Sequence, residues 1–132
     1  MASILKVDEM QGVTSAGDIT ITSEGGSATQ SLQPSLTQAW VNLNGSTFAT
    51  RDSFNVASAT DSGTGNYKVT FTNVCANDDY AHTCACRTGS FIVPIIQDGV
   101  YATNTMGIYT MNTCSTLVDA NYAIMQMNGE LA

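Results

Sequence analysis

The run Tyr67-Lys-Val-Thr-Phe-Thr72 is the strongest constraint on how this chain can fold. In an extended strand successive side chains point to opposite faces, so Tyr67, Val69 and Phe71 share one face and Lys68, Thr70 and Thr72 the other. One face suits a core and the other suits water, as in a half-buried antiparallel sheet. Just before it, Asp61-Ser-Gly-Thr-Gly-Asn66 supplies two glycines for positive φ, plus an Asp and an Asn whose side chains can bond turn amides. The spacing predicts a β-hairpin over residues 53–72, with residues 53–58 as its first strand.

Short alternating runs separated by turn residues recur along the rest of the chain, and helical periodicity is scarce. Further strands are predicted at 39–43, 79–87, 90–96, 100–103, 106–111 and 121–127. The turn signals between them are Asn44-Gly45, Asn77-Asp78, Thr88-Gly89, Gln97-Asp98-Gly99 and Asn104. Seven or so such strands predict an all-β domain, a sandwich or barrel-like fold, over residues 38–132. Pro94 inside an apolar strand requires an edge position or a bulge. Asn77-Asp-Asp-Tyr-Ala81 and Asp119-Ala-Asn-Tyr-Ala123 echo each other, which is explained by two strands entered through similar Asx turns.

Residues 1–37 differ in character. Ile4–Val7 and Asp18–Thr22 could each form a short strand, but glycines and a Ser/Thr/Gln-rich run surround them. The stretch 28–38 reads as a turn of helix or an extended linker. This segment cannot bury enough surface to fold alone, so it needs a neighbouring subunit or another protein.

At 132 residues the chain supports one modest core. Charged residues make up 11%, against about 25% in an average globular protein, so the surface must be mostly neutral and polar. A net charge of -7 with no basic cluster argues against nucleic-acid binding and against attachment to anionic lipid. The first residues lack the basic start and apolar run of a signal peptide, and the longest apolar run, residues 91–96, is too short to cross a bilayer. The expectation is a soluble protein made in the cytoplasm without membrane insertion, its cysteines reduced when made.

The most chemical-looking cluster is His82-Thr-Cys-Ala-Cys86, with Cys75 nearby and Cys114 further on. On a strand, His82, Cys84 and Cys86 would share a face, and with Cys75 could offer the soft tetrahedral set that zinc prefers. The spacing matches no established zinc motif, however, and cysteines of this kind usually fill small core positions. The sequence therefore predicts no metal and no cofactor. His82 with Cys84 is also the obvious nucleophile pairing, but no nucleophile motif supports it, and no enzymatic activity is expected. Asp78-Asp79 is read as a turn rather than a calcium site, Gly63-Thr-Gly65 as no phosphate loop, and Asn44-Gly-Ser46 as a hairpin turn rather than a glycosylated sequon. Tyr101 and Tyr109 flank a polar, uncharged loop, and with Asn104 they are the candidates for contact with a neutral glycan or a protein epitope.

The run Ala39-Trp-Val-Asn-Leu-Asn-Gly45, then Arg51-Asp-Ser-Phe-Asn-Val56, then Thr60-Asp-Ser-Gly-Thr-Gly-Asn-Tyr67 and Val69-Thr-Phe71 resembles a domain of tailed-bacteriophage fibre proteins, especially those of marine bacteria and cyanobacteria. Leu5-Lys-Val-Asp8, Gln11-Gly12 and Ala16-Gly-Asp-Ile-Thr20 resemble the N-terminal virion-attachment segment of such proteins. The likeness covers about residues 1–81 and is most specific across 39–71. It implies a structural virion protein, a short homotrimeric tail fibre. Residues 1–37 would dock on other virion proteins and intertwine, and the C-terminal loops would meet a host receptor or glycan. With at most 37 residues ahead of the domain there is no long shaft, so a capsid-decorating head fibre or a tail adaptor is the alternative. A small zinc-binding or thiol protein is the reading from another class. Because Trp40 falls in the stretch that carries the resemblance, it is read as scaffold, inside the domain or at a subunit interface, rather than as a sugar platform. Phe54, Tyr67, Val69 and Phe71 are placed with it as scaffold.

Overall fold

The computed structural model describes residues 4–12, 19–22, 25–26, 28–89 and 91–132. Eight strands form two four-stranded antiparallel sheets packed face to face. They are β3 (Thr37–Asn44), β4 (Ala49–Phe54), β5 (Val56–Asp61), β6 (Asn66–Phe71), β7 (Ala81–Arg87), β8 (Ile92–Ile96), β9 (Thr105–Asn112) and β10 (Tyr122–Asn128). The first sheet has the order β4-β3-β10-β7 and the second β5-β6-β9-β8. Ahead of them lie a small antiparallel pair, β1 (Thr20–Thr22) with β2 (Thr29–Ser31), and one helical turn, α1 (Leu32–Ser35). The all-β expectation holds, and among the described residues no helix is long and apolar enough to cross a membrane.

Alternation assigns the inward faces. Ala39, Val41 and Leu43 of β3 and Ala123, Met125 and Met127 of β10 meet Tyr67, Val69 and Phe71 of β6 and Met106 and Ile108 of β9 in one buried cluster. The predicted hairpin is β5 paired with β6, closed by Gly63 and Gly65 at φ 120° and 62°, with the Gly63 N–H donating to Asp61 Oδ1 at 2.9 Å. Pro94 sits on β8, an edge strand as required, since it has no N–H to give a ladder.

Three expectations are corrected. Residues 53–58 are not one strand: Asn55, at φ 56°, ends β4 in the first sheet and starts β5 in the second. Its side chain fixes the corner by accepting the Asn73 N–H at 2.7 Å and donating to the Asn73 carbonyl at 3.1 Å. Residues 100–103 form no strand, only a bridge from Ala102 to Thr105 across a turn. Ile4–Val7 form no strand, while the strand expected over 18–22 is present in part as β1. Residues 13–18 lie outside the described residues.

The ends of the sandwich are tied by side chains. The fully buried Tyr67 donates its hydroxyl to Asp119 Oδ1 at 3.0 Å and accepts the Ala120 N–H at 3.3 Å, joining β6 to the loop before β10. Asp119 thus serves a distant strand rather than its own turn, unlike Asn77, which accepts the Asp79 N–H at 3.0 Å. Gly45 is required beneath this network, because a Cβ there would run into the Tyr67 hydroxyl and lie 2.7 Å from the Ala120 carbonyl oxygen.

Candidate functional site

The outward face of the first sheet is where the unusual side chains collect. Because Val41 and Leu43 point inward, Trp40, Asn42 and Asn44 must point out. Trp40 is half-buried there, paired across the strands with Phe54 and Gln126, and Phe54 is 55% exposed. Trp40 and Phe54 are therefore outside the core, in contrast to Tyr67, Val69 and Phe71, which are buried as expected of scaffold. The physical reason is volume: the gap between the sheets is filled by Ala39, Val41 and Leu43 from β3, and the indole is left on the polar side with two asparagines.

At one end of this face, the ladder irregularity between Asn42 and Leu43 leaves Arg51 without a cross-strand partner. Arg51 reaches over β3, donates from Nη2 to the Asn121 carbonyl at 2.8 Å, and places its guanidinium carbon 4.3 Å from the centre of the Tyr122 ring. Arg87, the ladder partner of Tyr122 on β7, approaches the same ring at 5.7 Å. Both are cation–π distances. Beside them lies a cavity of about 300 Å³ lined by Arg87, Thr88, Gly89, Asn121 and Tyr122. Among the described residues neither arginine has a carboxylate within ion-pair distance. Arg51 and Tyr122 fall in stretches noted for other reasons, and nothing in the sequence marks them with Arg87 as one site. The available signal is that two of only four basic residues lie on the polar β4 and at the end of β7, and the pairing of β7 with β10 is invisible without the fold.

The residues singled out in the sequence do not converge on one site. Tyr101 stacks on Tyr80 with centroids 4.4 Å apart and donates its hydroxyl to the Tyr80 carbonyl oxygen, so ring and hydroxyl are both engaged inside the protein. Asn104 is exposed, its carbonyl accepting the Phe71 N–H at 2.9 Å. Tyr109 lies on the outer face of the second sheet beside Ile95, its hydroxyl accepting from Gln97 Nε2 at 3.2 Å. The turn after Ala102 therefore presents Asn104 alone of the three.

His82, Cys84 and Cys86 share the inward face of β7, as the alternation predicts, with Cys84 and Cys86 packed against the core. Cys75 is buried, its Sγ 3.9 Å from Met127 Sδ, and Cys114 is exposed on the loop after β9. All four cysteines are free, and among the described residues no group of three or more His, Cys, Asp and Glu side chains is placed to hold a metal. Burial raises the thiol pKa of Cys75, Cys84 and Cys86, which disfavours the thiolate that metal binding or nucleophilic attack needs.

His82 lies with its ring centroid 5.9 Å from that of Tyr101 and has no hydrogen-bond partner at either ring nitrogen among the described residues, and burial lowers its pKa to about 4. A neutral imidazole is thus favoured by folding, whereas the unfolded chain takes up the proton near pH 6.5. The contribution of His82 to stability is complete above about pH 6.5 and is lost as pH falls from there towards 4. Thermal unfolding followed from pH 7 to pH 4 should show a falling midpoint, and His82→Leu should flatten that part of the profile.

No family model matches this sequence, and no curated protein or solved structure matches it either.

Proposed function

We propose that this protein is a trimeric structural appendage of a tailed-bacteriophage particle, a short tail fibre. Its N-terminal segment attaches to the virion and intertwines between copies, and its sandwich faces the host surface without catalysing a reaction. The observation that carries this reading is the state of the N-terminal apolar side chains. Ile4 and Leu5 are 78% and 79% exposed, and Val7, Met10 and Ile21 are at least half exposed, in a segment whose regular structure among the described residues is two three-residue strands and one helical turn. Such side chains gain stability only when a partner covers them. Edge strand β8 adds a second apolar surface, with Val93 and Ile95 on the outward face of the second sheet beside Met111 and Tyr109. A surface low in charge and rich in Ser, Thr and Asn suits an appendage that must not bind indiscriminately.

Light scattering of the native protein should return the mass of three chains. The combined change Ile4→Ser, Leu5→Ser and Val7→Ser should shift that mass towards one chain while leaving the β-rich circular dichroism unchanged. A wild-type monomer across the micromolar range overturns the proposal. Electron cryo-microscopy of particles carrying the protein separates tail from head placement.

A further inference from the structure

The corner formed by Arg51, Tyr122 and Arg87 holds more positive charge than its folding contacts use. In a chain of net charge -7, two of the four basic side chains converge on one ring, yet no acid among the described residues lies within ion-pair distance of either. Both guanidinium groups thus stand beside one ring with no carboxylate to neutralise them, an arrangement that an anionic group would complement. Arg51 at least bonds the Asn121 carbonyl, but Arg87 makes no hydrogen bond or ion pair among the described residues, so its donor fork is free beside the cavity.

The geometry points to an anion-recognition site here that takes an anionic saccharide, a sugar bearing a carboxylate or sulfate group. The saccharide half of this assignment rests on the reading of the protein as a host-surface appendage. The cavity itself supports it. Its lining offers the Arg87 fork for the charged group, and the Thr88 hydroxyl, Gly89 backbone and Asn121 Nδ2 for ring hydroxyls, the Asn121 Oδ1 already accepting from Ser46 Oγ at 2.8 Å. At about 300 Å³ it is open enough for one or two sugar residues. The arginines are solvent-exposed, so a single site binds weakly and in a salt-dependent way, and three copies on one particle appendage would raise the apparent affinity.

The test uses the full-length protein on three immobilised polymers: polygalacturonate for carboxylate, dextran sulfate for sulfate, and dextran as the neutral control. Retention on at least one anionic polymer at about 0.02 M salt, lost by about 0.5 M, with none on dextran, is expected. Arg87→Gln should weaken that retention at least tenfold with an unchanged thermal midpoint, and Arg87→Lys should restore only part of it, because it keeps the charge but not the fork. Whichever polymer is retained names the anionic group. Failure to bind either anionic polymer, equal binding to dextran, or full retention by Arg87→Gln overturns the site. Light scattering on the same samples keeps the two readings apart. A monomer that still binds through Arg87 overturns the appendage and leaves the site, whereas a trimer indifferent to Arg87 does the reverse.

Discussion

Replacing Tyr67 with Ala is expected to remove about 3–5 kcal/mol of folding stability, the range for deleting a fully buried aromatic ring. The ring stacks on Phe48 with centroids 6.4 Å apart and planes 10° from parallel, at the centre of the β6 face that meets the first sheet. Its hydroxyl adds a second loss, since the Ala120 N–H would be left without its acceptor and Asp119 without one of its two donors. A domain of this size has only about 5–15 kcal/mol in total, so the variant should be close to unfolding at room temperature. Tyr67→Phe divides the effect: it keeps the ring and should cost about 1–3 kcal/mol, the range for stranding a buried polar partner. Urea unfolding measures both. If the Phe variant is as unstable as the Ala variant, the hydroxyl network outweighs ring burial.

The second large effect is expected at Gly65. Its φ of 62° lies in the left-handed region, which costs a side-chain-bearing residue about 1–2 kcal/mol. A Cβ there would also stand 2.5 Å from the Thr110 carbonyl oxygen and 2.7 and 2.8 Å from the Val118 carbonyl oxygen and nitrogen. All three are backbone atoms, Thr110 within β9 and Val118 tied to it by its N–H donating to the Thr110 carbonyl at 2.9 Å, so nothing flexible can move aside, and overpacking adds about 1–3 kcal/mol more. Gly65→Ala should therefore lose about 3 kcal/mol or more. It should also loosen the bonds Gly65 makes to Asp119 and from Thr110, at 2.7 and 2.8 Å. Gly99→Ala is the control: φ there is 80° but no atom lies within 4 Å, so only the backbone penalty applies. Similar midpoint shifts for the two variants would show that crowding at Gly65 relaxes.

What could be read in advance follows from how strongly each strand is half-buried. β6 alternates strictly between buried and partly exposed residues, and it was legible with its turn, whereas its partner strand was expected at 53–58 and lies at 56–61. β4 was not, because as an edge strand it is exposed along almost its whole length, and Ala-Thr-Arg-Asp-Ser-Phe carries no apolar alternation. The Asn55 corner was hidden for a related reason, since a single left-handed asparagine resembles any turn residue until the second sheet gives it something to cross to. On the site, the shared face of His82, Cys84 and Cys86 followed from their spacing, but that this face is the inward one, and that among the described residues no metal-holding group forms there, did not.

Trp40 marks the division most clearly. The sequence by itself determined that Trp40, Asn42 and Asn44 share one face of a strand and Ala39, Val41 and Leu43 the other, because a strand has no other way to arrange them. Which face became core was decided only by the tertiary structure, where the space opposite β6 and β9 takes three aliphatic side chains and leaves the indole outside. The same holds for Arg51, Tyr122 and Arg87, which lie far apart in the chain and carry no local pattern. Local geometry follows from covalent chemistry within a few residues, whereas a corner assembled from three strands depends on sheet order and on one ladder irregularity, which are set by packing.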